Sequence, residues 1–288
     1  MTTPRSPAAA SVATLALPTG ETIPRLGLGT WRMGEDRRRR EAEVAALRLG
    51  LDLGLGLIDT AEMYGSGGAE AVVAEAIAGR RDAVFLVSKV LPQNATRRGT
   101  IAACEASLKR LATDRIDLYL LHWRGGPALS ETLEGFLALQ QAGKIRHWGV
   151  SNFDAGDMAE LGALPGGGAV AANQVLYNLS RRGIEHDLLP WCRQRRVAIM
   201  AYSPVEQGRL LGHNALAQIA RRHDATPAGV ALAWLLAQPG VMAIPKATDP
   251  AHVRDNRAAL DLRLSPEDVA ELDRAFPSPD GPTALEIL

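Results

Sequence analysis

Short apolar runs, many of them β-branched, recur along the chain, and each ends on a polar residue. They are Leu57-Ile58 into Asp59, Val84–Val87 into Ser88 and Lys89, Ile116–Leu121 into His122, His147–Val150 into Ser151 and Asn152, Val170–Ala172 into Asn173 and Gln174, Val197–Ala201 into Tyr202 and Ser203, and Val241–Ile244 into Lys246. Leu26–Gly29, ahead of Thr30 and Trp31, is an eighth run weakened by glycine. Between the runs lie stretches with helical spacing of apolar positions, such as Glu41–Leu53, Ala69–Ala78, Thr100–Leu111, Glu131–Ala142 and Leu188–Arg195. Strands alternating with helices predict βαβ units in a parallel sheet, whose strands are apolar on both faces because both are covered.

Eight such units in this length predict an α/β fold, a (β/α)₈ TIM barrel; the competing arrangement is an open doubly wound sheet. Val12–Leu17, the turn Pro18-Thr19-Gly20, and Glu21–Ile23 predict a β-hairpin ahead of the barrel. Pro165 and Gly166–Gly168 predict a helix stop and a turn into the sixth strand, and Pro277–Pro282 an irregular C-terminal stretch. Residues 1–11 read as a flexible N-terminal tail and 12–288 as a single barrel domain.

Composition narrows the possible functions. The 288 residues balance 32 basic against 32 acidic side chains, which gives no support to nucleic acid or an anionic membrane as the main partner. No apolar run approaches the ~20 residues of a membrane span. Arg37–Arg40 is flanked by Asp36, Glu41 and Glu43, which favours a solvated helix start over a binding patch. Cys104 and Cys192 fall in helix-like segments without metal-ligand spacing and read as reduced thiols. With no signal-peptide pattern, a cytoplasmic protein is expected.

A barrel of this kind carries its active site at the C-terminal ends of the strands. Asp59, Lys89 and His122 would converge there, with Tyr64 in the loop after the second strand. Singly, each has an ordinary structural explanation: a cap, a rim aromatic, an ion pair, a core histidine. Together they place four titratable groups at one mouth. Only four of the 32 basic residues are lysines, yet Lys89 and Lys246 both stand at strand ends, where a compact ammonium differs in kind from a guanidinium fork.

The chemistry follows from those groups. An ammonium beside a phenol favours its ionisation, and a carboxylate keeps the ammonium charged and in place. Asp59, Lys89 and Tyr64 therefore make a tuned acid, with His122 steering a substrate oxygen toward it, an arrangement suited to protonating a developing alkoxide. No serine or cysteine nucleophile stands beside a base, and no two histidines have metal-ligand spacing, so no metal is expected. An alkoxide forms when hydride reaches a carbonyl carbon. The glycines at Gly27-Leu28-Gly29 and Gly54-Leu55-Gly56 lack the third glycine of a dinucleotide fingerprint, so a nicotinamide cofactor would bind in a non-Rossmann way.

From about Leu26 to Asn256 the chain resembles the aldo-keto reductases. The resemblance lies in Gly27-Leu28-Gly29-Thr30-Trp31, Asp59-Thr60-Ala61-Glu62-Met63-Tyr64-Gly65, Ser88-Lys89-Val90, Asp117–Trp123, Gly143–Arg146, Gly149–Phe153, Asn173-Gln174-Val175, Ala201-Tyr202-Ser203-Pro204 and Ile244-Pro245-Lys246. It implies a hairpin-capped barrel that reduces aldehydes and ketones with NADPH, NADH remaining open. By motif position, Tyr64 would donate the proton, Asp59 and Lys89 would tune it, and His122 would orient the carbonyl. Ser151, Asn152 and Gln174 would hold the carboxamide, and Tyr202 would stack on the nicotinamide. Thr30, Ser203, Pro204 and Asn256 would belong to the cofactor surface. Lys246 would meet the phosphates, and Trp31 and Trp123 would wall the substrate pocket.

One position departs from the family pattern. Where an arginine usually grips the 2′-phosphate, this chain has His252, which lacks the bidentate fork and carries less charge at neutral pH. Ile58–Tyr64, Ala102–Leu108, Gln174–Tyr177 and Leu189–Cys192 are most similar to bacterial reductases of methylglyoxal and other small aldehydes. The short stretch Val205–His213 and the short chain after Phe276 imply an open pocket. A small carbonyl substrate and a monomer are expected. The alternative is a cofactor-binding regulatory subunit of the same fold in which turnover is secondary.

Overall fold

The computed structural model describes residues 12–288, so the expected tail at 1–11 lies outside the described residues. A hairpin of β1 (Thr14–Ala16) and β2 (Thr22–Pro24) comes first. Strands and helices then alternate: β3 (Leu28–Gly29), α1 (Arg40–Asp52), β4 (Leu57–Asp59), α2 (Gly68–Ile77), β5 (Phe85–Val90), α3 (Arg97–Leu111), β6 (Ile116–Leu121), α4 (Leu129–Gln141), β7 (Ile145–Ser151), α5 (Ala155–Ala163), β8 (Ala172–Leu176), α6 (Leu188–Arg195) and β9 (Ala198–Tyr202). After β9 come α7 (Asn214–Arg222), α8 (Pro227–Ala237), β10 (Val241–Ala243), α9 (Pro250–Ala258) and α10 (Pro266–Ala275).

β3 to β10 form one eight-stranded parallel sheet in chain order. The two edges meet. Gly27 N–H donates to Ala243 O at 2.9 Å, Ala243 N–H to Arg25 O at 2.9 Å, and Gly29 N–H to Pro245 O at 3.0 Å, closing the barrel between β10 and the chain entering β3. Glycine is needed at this seam: a Cβ on Gly29 would stand 2.6 Å from Ile244 O. The open doubly wound sheet is thereby set aside.

Strand alternation sorts the side chains. Leu57, Phe85, Val87, Leu118, Leu120, Ala172, Ala198, Met200 and Met242 fill the barrel interior, while Ile58, Leu86, Tyr119, Trp148 and Ile199 pack outward against the helices. The next inward positions are Asp59 on β4, Lys89 on β5, Gln174 on β8 and Tyr202 on β9, with His122 one residue past β6. Period-two geometry thus carries the polar strand ends into one layer. At the opposite end, Leu17 and Ile23 of the hairpin join the interior cluster. Glu21 latches the hairpin there, pairing with Arg146 and His147, each at 2.7 Å.

Local sequence accounts for the helix starts. Thr96 caps α3 by accepting from Gly99 N–H, and Asp154 and Ser265 form capping boxes on α5 and α10. α8, apolar on all sides, is buried almost throughout. The sixth barrel strand differs from expectation. It runs Ala172–Leu176 rather than Val170–Ala172, because Val170 leaves a short turn at Gly167–Ala169 before pairing begins. The Pro277–Pro282 stretch is irregular, as expected. Among the described residues no helix is long and apolar enough to cross a membrane.

Candidate active site

Lys89 is fully buried and lies at the centre of the mouth. Its Nζ donates to Asp59 Oδ2 at 2.9 Å, to Thr60 O at 2.9 Å and to the Tyr64 hydroxyl at 3.3 Å. Asp59 is held on its other oxygen by Gln174 Nε2 at 2.7 Å, and its carbonyl accepts from the Thr30 hydroxyl at 2.9 Å. Tyr64 begins a tight turn, Tyr64–Gly67, that turns the phenol back over the mouth. The His122 ring meets the Tyr64 ring edge-on at 5.7 Å and packs against Trp123 at 4.8 Å.

The protonation states follow from burial and the two central charges. Burial works against the Lys89 charge, but Asp59 and Tyr64 outweigh it and hold the ammonium above the ordinary lysine value. Burial pushes the Tyr64 phenol up; Lys89 pulls it down and Asp59 pushes it up again, and the balance lies above the usual phenol range. Lys89 acts on the phenol in the expected direction, toward greater acidity, but desolvation exceeds its effect, so the phenol as a whole is not made more acidic. Burial, and then the Lys89 charge, drive His122 down to about 2, so its ring is neutral. Its Nδ1 is buried without a hydrogen-bond partner.

A second cluster adjoins the first. The Ser151 hydroxyl donates to Gln174 O at 2.8 Å. Asn152, at φ +59°, donates through Nδ2 to His122 O at 3.1 Å and accepts from the Tyr202 hydroxyl at 3.0 Å. Gln174 thus serves the carboxylate, a partnership its motif position does not reveal. Ser203, at φ +47°, starts the loop after β9, followed by buried Pro204. Left-handed non-glycine residues cost energy and gather at functional rims. The chain after Phe276 returns to this rim: Glu286 pairs with Arg181 at 2.5 Å, and Leu288 N–H donates to the Tyr202 hydroxyl at 3.4 Å.

Lys246 is exposed beyond β10 and has no ion-pair partner among the described residues. Burial lowers its pKa, Arg39 and Arg32 lower it further, and Glu43 and Glu35 oppose them. Arg32 and Arg39 were not anticipated here. Arg32 follows the matched Gly27–Trp31 segment and lies over the exposed Trp31 ring at 4.4 Å. Arg37–Arg39 form an exposed turn before α1, as the solvated reading expected, yet the Arg39 charge reaches Lys246. His252 is exposed on α9 and Asn256 is buried on the same helix. Cys104 and Cys192 are buried and free, and burial pushes both thiols up to about 12. Among the described residues no group of three or more His, Cys, Asp or Glu side chains is placed to hold a metal ion.

A closed barrel with this group at its mouth matches what known proteins show. The sequence model of the Aldo/keto reductase family matches residues 25–276, and the chain belongs to that family. It is 56% identical over 272 residues to methylglyoxal reductase YeaE of Escherichia coli strain K12, covering 93% of this chain and 96% of that protein. It is 33% identical over 261 residues to methylglyoxal reductase DkgB of Salmonella typhimurium, covering 88% and 94% of the two. A Klebsiella pneumoniae aldo/keto reductase, solved in complex with NADP and acetate, superposes with a TM-score of 0.94 at 50% identity over 96% of this chain and all of that one.

Proposed function

We propose that this protein reduces small aldehydes and ketones of the methylglyoxal type to alcohols with NADPH, Tyr64 donating the proton. The observation that carries the reading is the Tyr64 hydroxyl at 3.3 Å from a buried ammonium, which is itself 2.9 Å from a buried carboxylate. The relatives named as methylglyoxal reductases and the NADP-bound neighbour support it.

The residues suit the cofactor at both ends. Lys246 feels the charges of Arg32 and Arg39, offset in part by Glu43 and Glu35, and these three cations offer charge-assisted donors to an anionic phosphate. Ser151 and Asn152 offer hydroxyl and amide groups for a carboxamide, and Tyr202 offers a flat face for a ring. Thr30, Ser203, Pro204, His252 and Asn256 complete the surface in this reading. When bound, NADPH supplies the hydride that adds to the carbonyl carbon.

The chain's own part is to position and protonate. Neutral His122 donates a hydrogen bond to the carbonyl oxygen and aims it at Tyr64. Because its phenol is held above the usual range, Tyr64 stays protonated at working pH and gives up its proton only as negative charge grows on that oxygen. Lys89 then stabilises the tyrosinate, and Asp59 with Gln174 keeps Lys89 charged and fixed. Trp31 and Trp123 flank the carbonyl and exclude water.

We also read residues 12–288 as one domain acting as a cytoplasmic monomer, which the mass from size-exclusion light scattering tests. Steady-state NADPH oxidation with methylglyoxal and an aromatic aldehyde tests the function. Turnover with either supports it; tight NADPH binding without turnover would instead favour a regulatory role.

A further inference from the structure

Glu43, on the first turn of α1, is fully buried. Its Oε2 accepts from Gly34 N–H at 2.9 Å, while Oε1 is buried with no hydrogen-bond partner. No cation lies within ion-pair distance among the described residues. The charge that feels it is that of Lys246, beyond ion-pair distance, so a buried carboxyl with one hydrogen bond and one unpartnered oxygen is costly in a protein interior. Its one bond must therefore matter.

That bond holds Gly34, at φ +74°, in the loop between Trp31 and α1. A Cβ on Gly34 would stand 2.2 Å from Gly68 C and 2.6 Å from Ala69 N; one on Gly68 would stand 2.5 Å from Gly34 O; one on Gly65 would stand 3.0 Å from Met33 O. The backbone of Met33 and Gly34 thus lies directly on the turn that carries Tyr64. Within that turn Gly65, Ser66 and Gly67 are all left-handed, at φ +55°, +52° and +88°, so support from outside decides where it settles.

We propose that Glu43 is a positioning residue for the proton donor: by accepting the Gly34 N–H it fixes the surface on which the Tyr64 turn rests, and with it the approach of the Tyr64 hydroxyl to Lys89. The inference rests on the reading of Tyr64 as the donor. For the Tyr64 turn, what Glu43 supplies is the reach of an acceptor; its charge acts on Lys246 instead.

Two mild substitutions separate reach from charge. Glu43→Asp keeps the charge and withdraws the acceptor by one methylene. Glu43→Gln keeps the reach, and because Oε1 receives no bond, an amide NH₂ in its place breaks none. Misplacing a reacting group by a fraction of an ångström to an ångström is enough for Glu43→Asp to lower kcat with methylglyoxal about tenfold or more. The solvent deuterium isotope effect on kcat should rise with it, because proton transfer becomes slower. NADPH affinity, read from tryptophan fluorescence, should stay within about threefold of the parent, and Glu43→Gln should keep kcat within a similar factor with the parental isotope effect. Parental kinetics in Glu43→Asp, equal impairment of both variants, or a lower rate with an unchanged isotope effect would each overturn the inference. Tyr64→Phe distinguishes the two failures. If it keeps the parental rate, the donor assignment is wrong; if it is crippled while Glu43→Asp is not, only the role of Glu43 falls.

Discussion

Gln174 reaches across the barrel axis to Asp59: its Nε2 donates to Oδ1 at 2.7 Å from β8, four strands around the ring from β4. Asp59 is 2% exposed, so water does not readily replace that donor. Hydrogen bonds to charged groups contribute about 1.5–3 kcal/mol, and Gln174→Leu should lose about that much stability in urea unfolding at neutral pH. Its kcat should fall as well, since Asp59 would hold Lys89 less firmly. Unchanged stability would mean that Asp59 finds another donor.

Tyr64→Phe removes only the hydroxyl that Lys89 contacts. If that hydroxyl gives the proton, kcat/KM for methylglyoxal should fall by about 10²-fold or more. NADPH should still quench the fluorescence of the five tryptophans, because the ring and its packing remain. In the parent, the phenol pKa lies above its ordinary value, so ionisation of Tyr64 should not reduce the rate below about pH 10. A parental rate in the variant would refute the assignment.

The barrel and the meeting of Asp59, Lys89, Tyr64 and His122 were legible because both are repeats of local pattern. Strand side chains alternate, so a polar residue two positions beyond an interior apolar one must enter the next layer of the barrel, as Val87 and Lys89 do on β5. The acid strength of Tyr64 was not legible, since desolvation depends on how much chain covers the phenol and no spacing encodes that. Gln174 has the right motif position for a carboxamide contact, yet its reach to Asp59 depends on the diameter of the closed ring. Glu43 looks like any acidic residue near a helix start. Its meaning appears only once Gly34 is seen against Gly68, a contact between segments that neither hydrophobic period describes.

Burial and the Lys89 charge hold His122 near 2, far below an exposed imidazole. Above about pH 6.5 the ring is neutral in both the folded and the unfolded chain. As pH falls below that value, the unfolded chain takes up a proton that the folded chain refuses, and stability is lost. The loss approaches about 1.4 kcal/mol per pH unit, or about 2 kcal/mol at pH 5. Urea unfolding at pH 7 and pH 5 should therefore show the parent losing about that much more than His122→Asn, other groups cancelling in the difference. Equal losses would mean that His122 protonates readily in the folded state. Over the same range no rate limb near pH 6.5 should come from this residue.

NADPH and NADH carry the same nicotinamide ring and deliver the same hydride. These cofactors differ by the 2′-phosphate, and in this chain His252 stands on the first turn of α9 where the family pattern has arginine. The side chain is exposed, so an arginine is accommodated without disturbing the core. A guanidinium supplies a permanent charge and two parallel donors for a phosphate, a planar fork that an imidazole lacks. His252→Arg should therefore tighten NADPH by about tenfold, the worth of one added charge-assisted contact, and leave NADH within about twofold. Fluorescence titrations with the two cofactors, repeated at higher salt, check this: the gain should shrink as ions screen the exposed charge. Equal changes for the two cofactors would mean that residue 252 does not face the phosphate and that Lys246, with Arg32 and Arg39, carries the discrimination.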